Sequence, residues 1–310
     1  MISVFIDGSA GTTGLRIHDR IASRPEFRLI TLPEAQRKDP AARRAALNEA
    51  DVVFLCLPDA AAVESAAMVE NPATIVLDTS TAHRTAPDWL YGFPELSPEI
   101  AAAIPTAKRI AVPGCHASGF IALVAPLIRA GILDANALLT CHSVTGYSGG
   151  GKKMIAAYQS PERSPLLDAP RQYGIAQAHK HLPEMQKMTG LTHAPVFCPI
   201  VADFYSGMEV TVPLFAQQLQ PGKTAADIRA AYAAQYVGPL LQYQADASEE
   251  GFLSAAARTG KDTMQITVEG NAERILLVAR YDNLGKGASG AAMECMNLAL
   301  GMDPTAGLTL

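Results

Sequence analysis

Short apolar runs bounded by polar turns recur through the first third of the chain. Ile2 to Ile6, Phe27 to Leu32, Asp51 to Leu57 and Thr74 to Asp78 each read as a buried strand. Between them, Gly14 to Ile21 and an Ala-rich stretch from about Ala60 to Val69 read as helices. Strands alternating with helices predict βαβ units and a parallel sheet. The strand at Arg109 to Val112 runs through Pro113-Gly114 into Cys115, and an apolar helix pattern extends from Phe120 to Leu133. The pattern then changes. Longer alternating strands at Leu138 to Thr145, Met208 to Phe215, Met264 to Val268 and Ile275 to Tyr281 predict a mixed or antiparallel sheet in a second domain. A helix is expected near Ala225 to Gln235, and Gly287 to Leu300 returns to a helical pattern.

Asp7-Gly8-Ser9-Ala10-Gly11-Thr12-Thr13-Gly14 directly follows the first strand and opens the first helix. Glycines at this spacing permit a tight turn and bring backbone N–H groups against a pyrophosphate at a helix N-terminus. The fold class that follows is α/β: a Rossmann-type parallel-sheet domain joined to an α+β domain with a mixed antiparallel sheet. The second strand ends near Leu32 without a clear carboxylate for a ribose 2′-hydroxyl. Glu34 is outnumbered by Arg37, Lys38, Arg43 and Arg44, a cluster suited to a 2′-phosphate, so NADP(H) is favoured over NAD.

Cys115 is the candidate nucleophile. It stands at or next to a helix N-terminus, where unpaired N–H groups and the positive end of the macrodipole favour a thiolate. The other cysteines, Cys56, Cys141, Cys198 and Cys295, fall inside apolar strand or helix patterns and read as core. Five widely spread cysteines without Cys-x-x-Cys form neither a disulfide framework nor a zinc site, so no metal is expected and a reducing, cytoplasmic setting is. A net charge of −5 and 18% charged residues give no basic face for nucleic acid or a membrane surface. No apolar run approaches a membrane span.

Histidines supply the candidate proton carriers. His116 should point about a quarter-turn or more away from Cys115 on a helix start and is a poor base for its neighbour. His142 falls within a strand and reads as core. In Ala178-His179-Lys180-His181-Leu182-Pro183-Glu184, Pro183 opposes helix propagation. In an extended chain the His179 and His181 rings would face the same way, with a carboxylate such as Glu184 orienting one of them. Thr145-Gly146-Tyr147-Ser148-Gly149-Gly150-Gly151-Lys152-Lys153 reads as an anion-binding nest.

Taken together these segments resemble the N-acetyl-gamma-glutamyl-phosphate reductase family, specifically its shorter form. The matching motifs are Gly-Ser-Ala-Gly-Thr-Thr-Gly at 8–14, Pro-Gly-Cys-His-Ala-Ser-Gly at 113–119 and Gly-Tyr-Ser-Gly-Gly-Gly-Lys-Lys at 146–153. His-Lys-His-Leu-Pro-Glu at 179–184 and Asp-Asn-Leu-Gly-Lys-Gly-Ala-Ser-Gly at 282–290 complete the series. The longer form usually has Tyr-Pro after its cysteine, where this chain has His116-Ala117.

The resemblance implies an NADP-binding domain over 1–113 plus about 286–310, with the C-terminal helix folded back onto it. It implies a catalytic and dimerisation domain of the aspartate-semialdehyde dehydrogenase type over 114–285. Cys115 would attack an acyl phosphate, release phosphate and hold a thioester that NADPH reduces, while His179 or His181 manages the proton. Gly8, Ser9, Ala10, Gly11, Thr12, Thr13, Gly14, Arg37, Ser80, Ser148, Gly149 and Asn283 would bind the cofactor. Arg84, Lys152 and Lys180 would bind substrate, with Arg163 and Arg171 as further cations. The implied partners are a small acyl phosphate and inorganic phosphate, in a homodimer or homotetramer. The nearest alternatives are aspartate-semialdehyde dehydrogenase, whose cysteine usually has Asn before and Thr after, and a carrier-protein-linked lysine-pathway relative. A phosphate-independent aldehyde dehydrogenase and a dinucleotide sensor are more distant; the sensor would have no use for Cys115.

Overall fold

A computed structural model describes residues 1–310, which form two compact units: 1–113 with 288–308, and 114–287 with 309–310. The first unit runs β1 (Ile2–Asp7), α1 (Thr12–Ala22), β2 (Phe27–Ile30), α2 (Pro40–Glu49), β3 (Val52–Leu55), α3 (Asp59–Ala67), β4 (Ile75–Asp78), β5 (Leu90–Tyr91), α4 (Pro98–Ala103) and β6 (Arg109–Ala111). The strands lie in the order β2-β1-β3-β4-β6-β5, every neighbouring pair parallel. All four residues of β3 and of β4 are buried, as expected for a parallel sheet covered on both faces. The polar-looking segment after Leu32 contains α2, which no apolar period announces. Its start is chemical: Pro40 occupies the first turn and the Asp39 carboxylate accepts from Ala41 N at 3.0 Å.

The second unit opens with α5 (Cys115–Arg129), followed by β7 (Thr140–Gly146), α6 (Gly151–Gln159), β8 (Arg171–Gln172), α7 (Leu182–Thr189), β9 (Val196–Ala202), β10 (Met208–Phe215), α8 (Ala225–Gln235), β11 (Leu241–Tyr243), β12 (Met264–Gly270) and β13 (Arg274–Tyr281). Its sheet has the order β11-β12-β13-β10-β7-β9-β8 and is mixed, with β7–β9 and β11–β12 parallel. Period-2 alternation sends Met208, Val210, Val212 and Leu214 inward and leaves Val196, Phe215 and Leu276 exposed on the opposite face. His142 sits on that exposed side, contrary to its reading as core, because Cys141, Ser143 and Thr145 take the inward positions of β7. Cys198 is also only partly buried.

Helix α5 begins at Cys115 rather than Phe120 and ends at Arg129 rather than Leu133. Its surface is buried from His116 to Leu127. Pro126 removes the hydrogen bond that Ala122 O would accept, and the Tyr236 hydroxyl donates to that carbonyl instead, at 2.6 Å. After β13 a π-helical turn over Gly285–Ser289 leads to α9 (Gly290–Ala299), which belongs to the first unit. There Ala292, Met293 and Met296 share a core with Val4, Phe54 and Ile110. No helix is long and apolar enough to cross a membrane.

Candidate active site

In the first unit the chain order reverses between β2 and β3 on either side of β1, the switch point at which doubly wound sheets bind ligands. A cavity of about 430 Å³ lies there, lined by Asp7, Gly8, Ser9 and Ala10 after β1, by Leu29 to Leu32, and by Arg37, Lys38 and Arg43. Gly8 has φ +89°, and a Cβ there would stand 2.3 Å from Cys56 O, so only glycine fits. Gly11 caps α1 without a side-chain bond, and no acidic residue occupies the first turn. The Thr12 hydroxyl is buried with no hydrogen-bond partner. A bare helix N-terminus with a waiting hydroxyl fits a dinucleotide pyrophosphate. The basic cluster divides. Arg37 and Lys38 are exposed at the cavity, whereas Arg43 donates twice to Asp7 Oδ2, at 3.2 and 2.8 Å, and Arg44 pairs with Glu70.

Ser80 and Arg84 lie beyond β4 and serve their own loop. Ser80 donates to Asp78 Oδ2 at 2.7 Å, and buried Arg84 donates to Val112 O at 2.9 Å and Thr79 O at 3.0 Å.

In the second unit Cys115 is the first residue of α5, behind an N-cap glycine with no side-chain cap. The Glu184 carboxylate, buried on α7, instead accepts from Gly114 N at 2.8 Å. Tyr281 enters the first turn: its hydroxyl donates to Cys115 O and accepts from Gly119 N at 3.0 Å. The bond that would join those two backbone groups is thus bridged by a phenol, and a Cβ at Gly119 would stand 2.7 Å from that oxygen. Both contacts hold the helix start, and with it the cysteine, in one place.

Cys115 shares a cavity of about 200 Å³ with His116, Gly149, Gly150, Tyr173, His179, Lys180 and His181. The His179–His181 segment is a turn rather than an extended strand. Leu182 N donates to His179 O at 3.0 Å, and α7 starts at once, with Pro183 in its first turn where a missing N–H costs little. The two rings are therefore nearly perpendicular, 82° apart with centroids at 4.8 Å. His181 N donates to His179 Nδ1 at 3.2 Å, which leaves the ring proton of neutral His179 on Nε2. Burial, then the charge of Lys180, lowers the His179 pKa below the ordinary value.

His116 has no free ring nitrogen to act as a base for Cys115. It is buried, with Nδ1 2.7 Å from Ser143 Oγ and Nε2 2.6 Å from Tyr173 Oη, and its ring packs against Phe197. Burial pushes its pKa down to about 3, so the ring is neutral. Between that value and the ordinary 6.5 the unfolded chain binds a proton that the native state lacks, so stability must fall as pH drops. About 2 kcal/mol should be lost between pH 7 and pH 5. The slope of urea midpoint against pH should flatten in His116→Gln; an unchanged slope would contradict a buried neutral ring. Neither Ser143, Tyr173 nor Tyr281 stood out in the sequence, since each reaches the site through a long-range contact that no local spacing encodes.

The remaining cations separate by their partners. Lys180 is exposed at the cavity, and Lys152 is exposed in the first turn of α6. Arg163 is engaged by Asp203 and Asp168, at 2.7 and 2.5 Å. Arg171 has no carboxylate partner. It bonds Tyr158 Oη at 3.1 Å, its Nε is buried and unpartnered, and it pairs across the sheet with Val201 of the cavity wall. Asn283 donates to Ser148 Oγ at 3.1 Å and accepts from Gly207 N at 2.9 Å, which anchors the glycine loop.

Known proteins match this chain in sequence and in fold. The family profile described as "Semialdehyde dehydrogenase, dimerisation domain" matches residues 115–283, and "Semialdehyde dehydrogenase, NAD binding domain" matches 34–104. The N-acetyl-gamma-glutamyl-phosphate reductase of Burkholderia ambifaria is 44% identical over 306 residues, 96% of each chain. That of Sinorhizobium fredii is 44% identical, covering 96% of this chain and 98% of its own. The chain belongs to the N-acetyl-gamma-glutamyl-phosphate reductase family. N-acetyl-gamma-glutamyl-phosphate reductase 2 of Pseudomonas putida, 43% identical across 96% of both chains, is a further member. The fold of this reductase-family chain is that of aspartate semialdehyde dehydrogenase II from Vibrio cholerae, with a TM-score of 0.72 at 16% identity over 97% of this chain and 98% of that one.

Proposed function

We propose that the chain reduces N-acetyl-L-glutamyl 5-phosphate to N-acetyl-L-glutamate 5-semialdehyde and phosphate, a step of arginine biosynthesis, through a thioester on Cys115. The observation that carries this reading is Cys115 as the first residue of α5, lining one cavity with His179, Lys180 and His181. Membership of the reductase family supplies the substrate and NADP(H).

The residues of 1–113 with 288–308 hold NADP(H), with Gly8 to Gly14 against its pyrophosphate and Arg37 and Lys38 towards the 2′-phosphate. When bound, the cofactor supplies a hydride to the acyl carbon. Cys115 attacks that carbon as thiolate, forming the C–S bond and a tetrahedral oxyanion whose collapse breaks the C–O bond and releases phosphate. The tetrahedral thiolate adduct formed on reduction then expels Cys115 and leaves the aldehyde. With His179 Nδ1 occupied by a backbone N–H, His181 accepts the thiol proton, and His179 Nε2–H and Lys180 serve the phosphoryl oxygens. Arg171, without a carboxylate of its own, takes the substrate α-carboxylate. Ser148, Gly149 and Asn283 build the loop that borders this cavity. The exposed apolar residues on the outer sheet face, Val196, Phe215 and Leu276, suit a second copy in a homodimer, and the setting is cytoplasmic.

The reverse reaction tests the reading. With N-acetylglutamate semialdehyde and NADP, appearance of NADPH absorbance should require inorganic phosphate. Turnover without phosphate would indicate an ordinary aldehyde dehydrogenase, and turnover only with aspartate semialdehyde would indicate a different substrate.

A further inference from the structure

We propose that Tyr173 is a further catalytic residue: a Ser143–His116 relay aims its hydroxyl hydrogen into the Cys115 cavity, where it stabilises the oxyanion formed at the acyl carbon. The inference rests on the reading that Cys115 carries an acyl group.

The direction of the relay follows from satisfying buried donors. Ser143 on β7 is fully buried, and the one hydrogen-bond partner of its hydroxyl is His116 Nδ1, at 2.7 Å. His116 Nε2 meets Tyr173 Oη at 2.6 Å. A neutral imidazole carries one donor and one acceptor, so only two arrangements exist. With the proton on Nδ1, the ring donates to Ser143, and the serine hydrogen is left with no acceptor among the protein's groups. Tyr173 would then turn its own hydrogen away from the cavity, onto Nε2. With the proton on Nε2, Ser143 donates to Nδ1 and Nε2–H donates to the Tyr173 oxygen. Both buried donors are satisfied, and the second arrangement wins.

In that arrangement the Tyr173 hydrogen has no protein acceptor, and Tyr173 lines the cavity beside Cys115. Its position is rigid. Tyr173 N donates to Pro199 O at 3.0 Å, which ties the residue to β9, and Phe197 on the same strand packs against the His116 ring. Burial, then the charge of Cys115, holds the phenol above its ordinary range, so it donates a hydrogen bond without losing its proton. The proton stays on Tyr173 throughout. Negative charge develops on the acyl oxygen when thiolate or hydride adds and returns to the leaving group on collapse. A fixed donor at that oxygen acts on the transition state more than on bound substrate.

Tyr173→Phe removes only the hydroxyl. We expect kcat to fall about 100-fold, with KM, NADPH affinity and melting temperature nearly unchanged. Ser143→Ala should lower kcat about tenfold in the native background and not at all in Tyr173→Phe, because both act through one hydrogen. Alkylation of Cys115 by iodoacetamide, a displacement that forms no oxyanion, should proceed at the native rate in Tyr173→Phe. Undiminished kcat in Tyr173→Phe would overturn the assignment, as would alkylation slowed in parallel with turnover. If the unmodified enzyme lacks phosphate- and Cys115-dependent turnover, the acyl-enzyme reading fails and this inference falls with it. Normal turnover in both proteins refutes the role of Tyr173 alone.

Discussion

Cys115→Ala is expected to lower turnover by about 10⁴-fold or more, while dinucleotide binding stays at its native strength. The size follows from the absence of a substitute nucleophile. Burial pushes the Cys56 thiol up to about 12 and raises Cys141 as well. Cys295 is buried and donates to Gly92 O at 3.2 Å, and Cys198 lies on a different sheet face from the cavity. None of these can accept the acyl group. Mass spectrometry after brief iodoacetamide treatment should find Cys115 modified first, and the acyl phosphate should protect it. Residual activity above about one per cent in Cys115→Ala would mean that hydride transfer does not pass through this thioester.

The second large effect is expected at the glycine turn. At φ +89° an L-residue is strained by about 1–2 kcal/mol. A Gly8→Ala Cβ would also stand 2.3 Å from the Cys56 carbonyl, a backbone atom at the end of β3 that cannot swing aside. Together these should destabilise the first unit by about 3 kcal/mol or more. The single tryptophan, Trp89, stacks on His83 in that unit at 4.0 Å and gives the unfolding signal. Gly11→Ala is the informative contrast. Its Cβ would meet Gly8 O at 3.5 Å, an ordinary contact, so stability should hold within about 0.5 kcal/mol. A methyl there faces the proposed pyrophosphate, and NADPH affinity should fall at least about tenfold. Native affinity in Gly11→Ala would exclude this turn as the phosphate cradle.

The chemistry legible from the chain alone was chemistry that local backbone geometry dictates. Glycine at position 8 and the Pro113-Gly114 turn are requirements of tight turns, and each shows in one short window. Local geometry decides less where a partner lies far along the chain. Adjacent helical side chains diverge, which by itself points His116 away from Cys115. They do diverge, yet β7, β9 and the 171–181 segment close over the helix start and enclose both. Pro183 falls in the first turn of α7, where proline is tolerated, and so opens that helix instead of opposing it. Arg43, one of four apparent phosphate ligands, is turned inward by Asp7, whose Oδ2 also accepts from Ser65 Oγ at 2.6 Å.

The sequence by itself determined the two kinds of sheet, the tight glycine turn after β1 and the place of Cys115 at a helix start, because periodicity, glycine placement and a Pro-Gly turn are local properties. The tertiary structure alone decided which polar groups face one another. Tyr173 with His116, Tyr281 with the first turn of α5, and Glu184 with Gly114 are joined across 57, 166 and 70 positions. Burial removes water as a competing partner, so each of those groups must be satisfied by another part of the protein, and only the packed chain determines which one.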